Sequence, residues 1–277
     1  YVGESANYRA AYSVESKIKS LQEEGMDHQK AELKGVEEYA IECSIIKVGT
    51  SEDIQNCADD GIQIYGGMGF SADTPMESAW RDARIGRIYE GTNEINRMLS
   101  VGMLVKKSMK GELDLMNAVM NVVNELTQGK SVEKTDDYHS LSEEEQKIEN
   151  LKKVFLMVAG SAFQKYGPAL EKNQQTLLGL SDMMIEVYFA ESALLRTLKN
   201  TNKVMDTKHQ IDMTKLYVFD ATETVISKSK EIIGNISEGE NQLNLLKNVH
   251  RLCRYSVMPD VIGLKSSIAN KIIEENN

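Results

Sequence analysis

The sequence predicts an all-α protein, on three observations. Apolar residues recur at i, i+3, i+4 and i+7 through nearly the whole chain, the spacing that lines one side of a helix. No alternating apolar–polar run is long enough to make a half-buried strand. The 277 residues contain only 3 prolines, Pro75, Pro168 and Pro259, so helices can run long between them. That length suffices for one large or two ordinary domains with real cores.

Taken in order, residues 3–24 read as a helix with Ala10, Val14, Ile18 and Leu21 on one face, ended by Gly25. Residues 29–65 read as a second, longer helix carrying Val36, Ala40, Cys43, Ile46, Ile54, Ala58, Ile62 and Tyr65, with a kink expected at Gly49-Thr50-Ser51. Gly66-Gly67 ends it, as glycine does at helix C-termini. In the loop that follows, Gly67-Met68-Gly69-Phe70-Ser71-Ala72 formally fits a dinucleotide fingerprint. That pattern needs a strand before it and a helix after it in a βαβ unit. Here a helix precedes and Pro75 follows, so a Rossmann site is rejected. The glycines are either a plain turn or a place where backbone approaches a ligand, and spacing alone does not choose.

Residues 75–87 read as a helix with Pro75 in its first turn, and Asp82 is expected to pair with Arg81 or Arg84. A further helix starts after Thr92, with Ile95, Met98, Leu99, Gly102 and Val105 on one face, and 106–127 continues helically through Leu113, Met116, Met120, Val123 and Leu126. Residues 128–141 have the polar composition of a linker. Ser142-Glu143-Glu144-Glu145 reads as a capping box. Beyond it come helices at about 142–165, 169–200, 211–234, 240–255 and 261–274, packed antiparallel across short loops. The second of these carries Leu177, Leu180, Met184, Val187, Leu194 and Leu198, interrupted by Glu191. No catalytic constellation follows residue 110, so packing or oligomerisation is the expected role of this part.

Composition excludes several function classes. A net charge of −10 argues against nucleic acid or an anionic membrane as the main partner. No run of about 18 apolar residues is present, as a membrane-spanning helix needs. The first residues lack a basic-then-apolar signal pattern. A start at Tyr1 inside a helical pattern leads us to expect a piece of a longer protein. The 3 cysteines, Cys43, Cys57 and Cys253, are odd in number and lack metal-ligand spacing. A reduced, cytoplasmic protein is expected, with each cysteine buried in its helix face. His28, His139, His209 and His250 are scattered and match no metal motif. The 14 methionines read as core filling.

The stretch from Gln63 to Arg97 concentrates the chemistry. Glu90 lies between the segment Ile85–Tyr89 and Gly91-Thr92. Thr92 is a suitable N-cap, because its hydroxyl can accept an orphan backbone N–H. Glu90 then sits just before a helix N-terminus on a glycine-hinged turn, where the dipole favours its anionic form. A carboxylate displayed in this way can serve as a general base. The local pattern equally describes an ordinary glutamate at a helix start.

The string Arg81-Asp82-x-Arg84-Ile85-x-Arg87-Ile88-Tyr89-Glu90-Gly91-Thr92-Asn93-Glu94-Ile95 resembles the C-terminal signature of acyl-CoA dehydrogenases, and Gln63-Ile64-Tyr65-Gly66-Gly67-Met68-Gly69-Phe70 resembles the flavin-contacting segment of the same family. The resemblance extends more weakly over the whole chain, and its tail is similar to the very-long-chain branch. It implies that 1–127 is part of the family's C-terminal helical domain, 128–141 a linker and 142–277 an additional helical domain. It implies a parent enzyme that oxidises an acyl-CoA to the trans-2-enoyl-CoA, with Glu90 taking the α-proton and FAD taking hydride from the β-carbon. The Glu90 backbone N–H and a flavin hydroxyl would polarise the thioester oxygen. By the same matching, Gln63, Ile64, Tyr65, Gly66 and Gly67 contact the FAD of a neighbouring subunit, Thr92 and Glu94 lie near FAD on the catalytic side, and Gly91 lies against substrate. At Glu94 the family carries Gln, Asp or Glu. Gly86 departs from the long-chain enzymes, which carry a bulky apolar residue there. The implied partners are acyl-CoA, an electron-transferring flavoprotein and a second copy of the chain. The family's N-terminal helical and middle β-domains are not in these residues, so this piece alone is expected to be inactive. Two other readings stay open: an acyl-CoA oxidase relative, and a non-catalytic helical dimerisation or assembly module.

Overall fold

The computed structural model describes residues 1–128, 140–203 and 206–276. They form α1 (Val2–Glu23), α2 (His28–Glu38), α3 (Ala40–Tyr65), α4 (Pro75–Ile85), α5 (Asn93–Met109), α6 (Leu115–Thr127), α7 (Ser142–Tyr166), α8 (Gln174–Thr201), α9 (Lys208–Ile236), α10 (Gly239–Cys253) and α11 (Val261–Asn276), with short 3₁₀ turns at Gly66–Phe70 and Gly167–Lys172. Among the described residues there is no strand, and the chain is all-α as its periodicity predicts. The helices gather into two compact units, residues 7–103 and residues 1–6 with 104–277.

In the unit of residues 7–103, Gly25 makes the turn between α1 and α2 at φ +90, and the Asp27 carboxylate caps α2 by accepting from the Gln29 and Lys30 backbone N–H groups. A Cβ on Gly35 would collide with Ile18, so glycine there lets α2 lie close on α1. The single helix expected over 29–65 is two. The break falls at Tyr39, and α3 runs through 49–51 without interruption. The Thr50 hydroxyl donates to the Ile46 carbonyl at 2.7 Å and that of Ser51 to Val48 at 3.0 Å. Both hydroxyls are thus satisfied within the helix. Ile41, Ile45, Ile46, Val48 and Ala58 bury one side of α3. Trp80 Nε1 donates to Asp59 Oδ1 at 3.1 Å, tying α4 to α3.

In the other unit α7, α8 and α9 form the core, with Leu141, Ile148, Ala190, Leu194, Val218 and Ala221 at its centre. The start of α1 joins it through the Tyr1 hydroxyl, 2.7 Å from Thr197 Oγ1, and through the Glu4–Arg196 ion pair. Several hydroxyls are buried along α8 and α9. Ser192, Thr197, Thr214, Thr222 and Ser229 are all buried, and each donates to the carbonyl four residues earlier in its own helix. Two side chains of α7 cap the end of α10: Lys147 Nζ donates to the Cys253 and Arg254 carbonyls at 3.1 and 2.7 Å, and Asn150 Nδ2 to that of Leu252 at 3.1 Å. A cation at a helix C-terminus is favoured by its dipole. Lys147 also lies 4.0 Å over the Tyr255 ring, a cation–π contact.

Several expectations change here. The helix expected to continue over 106–127 breaks after Met109, where Gly111 takes φ +75, and restarts as α6. α6 packs on α7, with Gly160 leaving room for Val119 and Lys153 pairing with Glu125. At α7 the N-cap position is Leu141, so Ser142 is the first helical residue and not the cap. Cys43 and Cys57 are exposed, because their turns of α3 face outward; only Cys253 is buried. Most of the expected linker, residues 129–139, lies outside the described residues. None of the described helices is long and apolar enough to cross a membrane.

Candidate active site

α4 ends at Ile85, and the chain reverses over 86–92 before α5 begins. Gly86 opens this reversal close to α3: a Cβ there would stand 3.8 Å from the Ser51 Cβ and 3.1 Å from the Ala83 carbonyl. The reversal passes through Glu90 at φ +55 and Gly91 at φ +81. Among the described residues Glu90 is the only non-glycine with positive φ. The left-handed conformation costs an L-residue roughly 1–2 kcal/mol. It persists only where the surroundings over-determine it. The Glu90 side chain stands in solvent, and its backbone N–H has no acceptor among the described residues.

The surroundings that fix this turn come from α3 and α5. Asn96 Nδ2 sits at the carbonyls of Glu90, Gly91 and Thr92, at 3.2, 2.8 and 3.3 Å. Lys47 Nζ donates to the Gly91 carbonyl at 2.8 Å and to Asn93 Oδ1 at 2.7 Å. Asn93 is fully buried, and its Nδ2 donates to Ser51 Oγ and Glu52 Oε1, both at 3.0 Å. Glu52 takes a two-pronged ion pair from Arg97, with both contacts at 2.7 Å, and Arg87 adds a third cationic contact at 3.7 Å. A Cβ at Gly91 would press on Asn96 Nδ2 at 3.0 Å, so both backbone angle and space require glycine there.

The electrostatics follow from these contacts. Burial pushes the Glu52 carboxyl up, but hydrogen bonds from Arg97 and Asn93 and the charges of Arg97 and Arg87 outweigh it. Glu52 is held below the ordinary carboxylate value. Burial lowers Lys47, partly offset by the charges of Glu94, Glu52 and Glu90. Thr92 caps α5 as its sequence predicts, Oγ1 accepting the Ile95 N–H at 3.3 Å. Glu94 is held below its ordinary value, first by its own backbone N–H and then by the Thr92 hydroxyl and the charges of Arg97 and Arg87. On α4, Arg81 pairs with Glu77 at 3.4 Å, in place of the expected Asp82 partner.

Gln63, Ile64, Tyr65, Gly66 and Gly67 form a separate exposed patch at the end of α3. Gln63 is eleven residues beyond Glu52, about 16 Å along the helix at 1.5 Å per residue. Gly66 turns at φ +61, and neither it nor Gly67 has an atom within 4 Å of where a Cβ would be. Gly69 is the compact hinge: a Cβ would lie 2.5 Å from the Ile62 carbonyl oxygen and 2.9 Å from the Tyr65 Cβ. Sequence reasoning thus singles out Glu90, Gly91, Thr92 and Glu94, which the fold keeps together, and the Gln63–Gly67 group, which stands apart. It misses Lys47, Ser51, Glu52, Asn93, Asn96 and Arg97. The available signal was the polar set Lys47, Ser51 and Glu52 on one side of a helix that is otherwise apolar there. No cluster of metal-ligating side chains occurs among the described residues.

Residues 7–103 match the family described as "Acyl-CoA dehydrogenase, C-terminal domain", and residues 150–251 match a second family of the same description. The first match coincides with the unit that carries the Glu90 turn. A "Probable acyl-CoA dehydrogenase" of Bacillus subtilis (strain 168) is 34% identical over 276 residues, which is 99% of this chain and 46% of that protein. A crystal structure of an acyl-CoA dehydrogenase complexed with FAD from Bacillus anthracis superposes with a TM-score of 0.94 at 38% identity, covering 99% of this chain and 47% of that one. The chain therefore spans about half the length of these relatives. The human mitochondrial short-chain specific acyl-CoA dehydrogenase is 43% identical over 68 residues, 24% of this chain and 16% of its own. The rat very long-chain specific enzyme is 45% identical over 65 residues, 24% of this chain and 10% of its own. Those two identities are too close to favour either branch.

Proposed function

Because this chain belongs to the acyl-CoA dehydrogenase family, we propose that Glu90 is the general base that removes the α-proton of an acyl-CoA thioester. The observation that carries this reading is the Glu90 turn. A carboxylate on a left-handed residue, clamped from two helices and facing outward, is backbone strain of the kind that clusters at functional sites. Its unpartnered N–H supports a second role, donation to the thioester oxygen as negative charge develops there. In the step we assign, the α C–H bond breaks, the proton passes to Glu90, and the β-carbon loses hydride. FAD, when bound, supplies the hydride acceptor. An α-proton is a very weak acid, so desolvation of Glu90 by bound substrate is needed to raise its basicity.

The residues present fit such a cofactor. Gly66 and Gly67 leave open space beside their backbone, and the flanking Ile64 and Phe70 are 83% and 79% exposed, a surface suited to a flat ligand. Gln63 to Gly67 would hold part of the FAD of a neighbouring subunit, whereas Thr92 and Glu94 would lie near FAD on the catalytic side, with Gly91 against substrate. Family membership also supports an electron-transferring flavoprotein as acceptor and a homodimer as the assembly. The three free cysteines fit a cytoplasmic setting.

The test is Glu90→Gln in the full-length protein loaded with flavin. It removes the base without removing volume, so flavin content should hold while turnover with acyl-CoA falls about 10²–10⁴-fold. A near-normal rate would place the base elsewhere. Oxygen uptake without an added acceptor would favour an oxidase. A silent Glu90→Ala in every assay would favour a purely structural module.

A further inference from the structure

We propose that Lys47 and Asn96 are positioning residues for Glu90, forming with Asn93 a side-chain clasp that holds the left-handed turn and thereby aims the carboxylate. This rests on the reading of Glu90 as the base, and deepens it. A left-handed glutamate relaxes unless something opposes the relaxation. Here the opposition is specific. The Asn96 amide sits at three successive carbonyls, those of Glu90, Gly91 and Thr92, so it spans the three peptide bonds that follow the strained residue. The ammonium of Lys47, on α3, donates to the middle one of the three. It is itself fixed by the buried Asn93 Oδ1, whose amide nitrogen is anchored on Ser51 and Glu52. Every donor in the set ends on backbone, on Asn93 or on its anchors Ser51 and Glu52, and none reaches the Glu90 carboxylate among the contacts described. The clasp therefore shapes the direction of the Glu90 side chain while leaving its oxygens to a ligand. Lys47 lies 43 residues before Glu90 in sequence and Asn96 six after it, so α3 and α5 each contribute one jaw.

Displacing a catalytic group by about 1 Å can cost on the order of 10²-fold in rate. In the full-length protein loaded with flavin, Lys47→Met and Asn96→Ala should each lower kcat by about that factor per bound flavin, with KM changed little, and Lys47→Arg should restore most of it. In a Glu90→Gln background the same changes should cost no further rate, since they act through Glu90. A second readout needs neither flavin nor substrate. Glu90→Gly removes the left-handed strain, so the thermal midpoint difference it causes measures that strain. Once Asn96→Ala frees the turn to relax, the difference should shift by about 2–8 °C in favour of Glu90. Full kcat in both clasp variants, or a Glu90→Gly shift identical with and without Asn96, would overturn the clasp. If Glu90→Gln alone retains normal turnover, the assignment of the base fails instead. The midpoint comparison then still decides whether the turn is held under strain. Should Asn96→Ala not fold, Lys47→Met carries both measurements.

Discussion

Removing Arg97 should destabilise the unit of residues 7–103 by an amount well above that of a surface ion pair. The Arg97 and Glu52 side chains are 15% and 25% exposed, and they meet through two contacts of 2.7 Å. A solvent-exposed pair contributes about 0–1 kcal/mol. Taking one partner from a buried pair costs about 3–5 kcal/mol, because the remaining charge is stranded. A mostly covered, two-pronged pair with a weaker helper, Arg87 at 3.7 Å, falls between these limits, and we expect about 2–3 kcal/mol for Arg97→Met. The double variant Glu52→Gln/Arg97→Met should recover at least half of that loss. It strands no charge, and the new amide oxygen can still accept from Asn93. Urea denaturation followed by circular dichroism measures both. The pH dependence gives a third reading. Glu52 is depressed in the folded state, so its contribution is present above the ordinary carboxylate range and is lost as pH falls through the depressed value. Arg97→Met should move that acid loss to higher pH. A single-variant cost near zero, or a double variant as unstable as the single, would refute the stranded-charge argument.

Two further outcomes are expected. At alkaline pH the other unit should lose stability, because burial pushes the Cys253 thiol from 9.0 up to about 12 and the Tyr255 phenol from 10.0 up to about 12. Groups raised in the folded state stabilise it below their unfolded values and lose that contribution as pH climbs toward 12. Cys253→Ala should flatten the earlier part of this limb in a pH series of thermal melts, and an unchanged limb would count against it. The 277-residue chain alone, mixed with FAD and passed through gel filtration, should emerge without a stoichiometric visible flavin band. Gln63 to Gly67 stand in open solvent and provide too few contacts to offset the cost of ordering the cofactor. A retained band would mean that the cofactor site is built more fully from these residues.

The parts of the site legible in the sequence are those governed by short-range rules. Thr92 at a helix start, Gly91 beside it and Gly66 at the end of α3 are read from capping and from the freedom of glycine, and each takes the expected conformation. The strain at Glu90 itself is not legible, because the turn is held jointly by Asn96 of α5 and by Lys47, which arrives from α3. Asn93 and Arg97 look like the solvated face of α5 in sequence, and Glu52 like an ordinary helix glutamate. Their burial comes from partners 41 to 45 residues away, a separation that carries no local pattern. The same blindness explains the missed break at Tyr39. Gly49-Thr50-Ser51 looks like a break until it is known that the glycine is buried and the hydroxyls bond back into the helix, whereas Tyr39 offers no breaking residue at all.

The hydroxyls buried along α8 and α9 have a consequence for how the two helices are matched. Ser192, Thr197, Thr214, Thr222 and Ser229 each bond back to their own helix, and several meet a second polar group beyond it: Thr197 and Thr214 lie oxygen to oxygen at 2.8 Å between α8 and α9, and the Tyr255 hydroxyl donates to Thr222 Oγ1 at 3.3 Å. A hydropathy scale scores these letters as water-loving, yet they are buried with their hydrogen bonds made inside the fold. Their polarity is thus spent on fixing which turns of the two helices face each other, a task that an apolar letter of the same size could not perform.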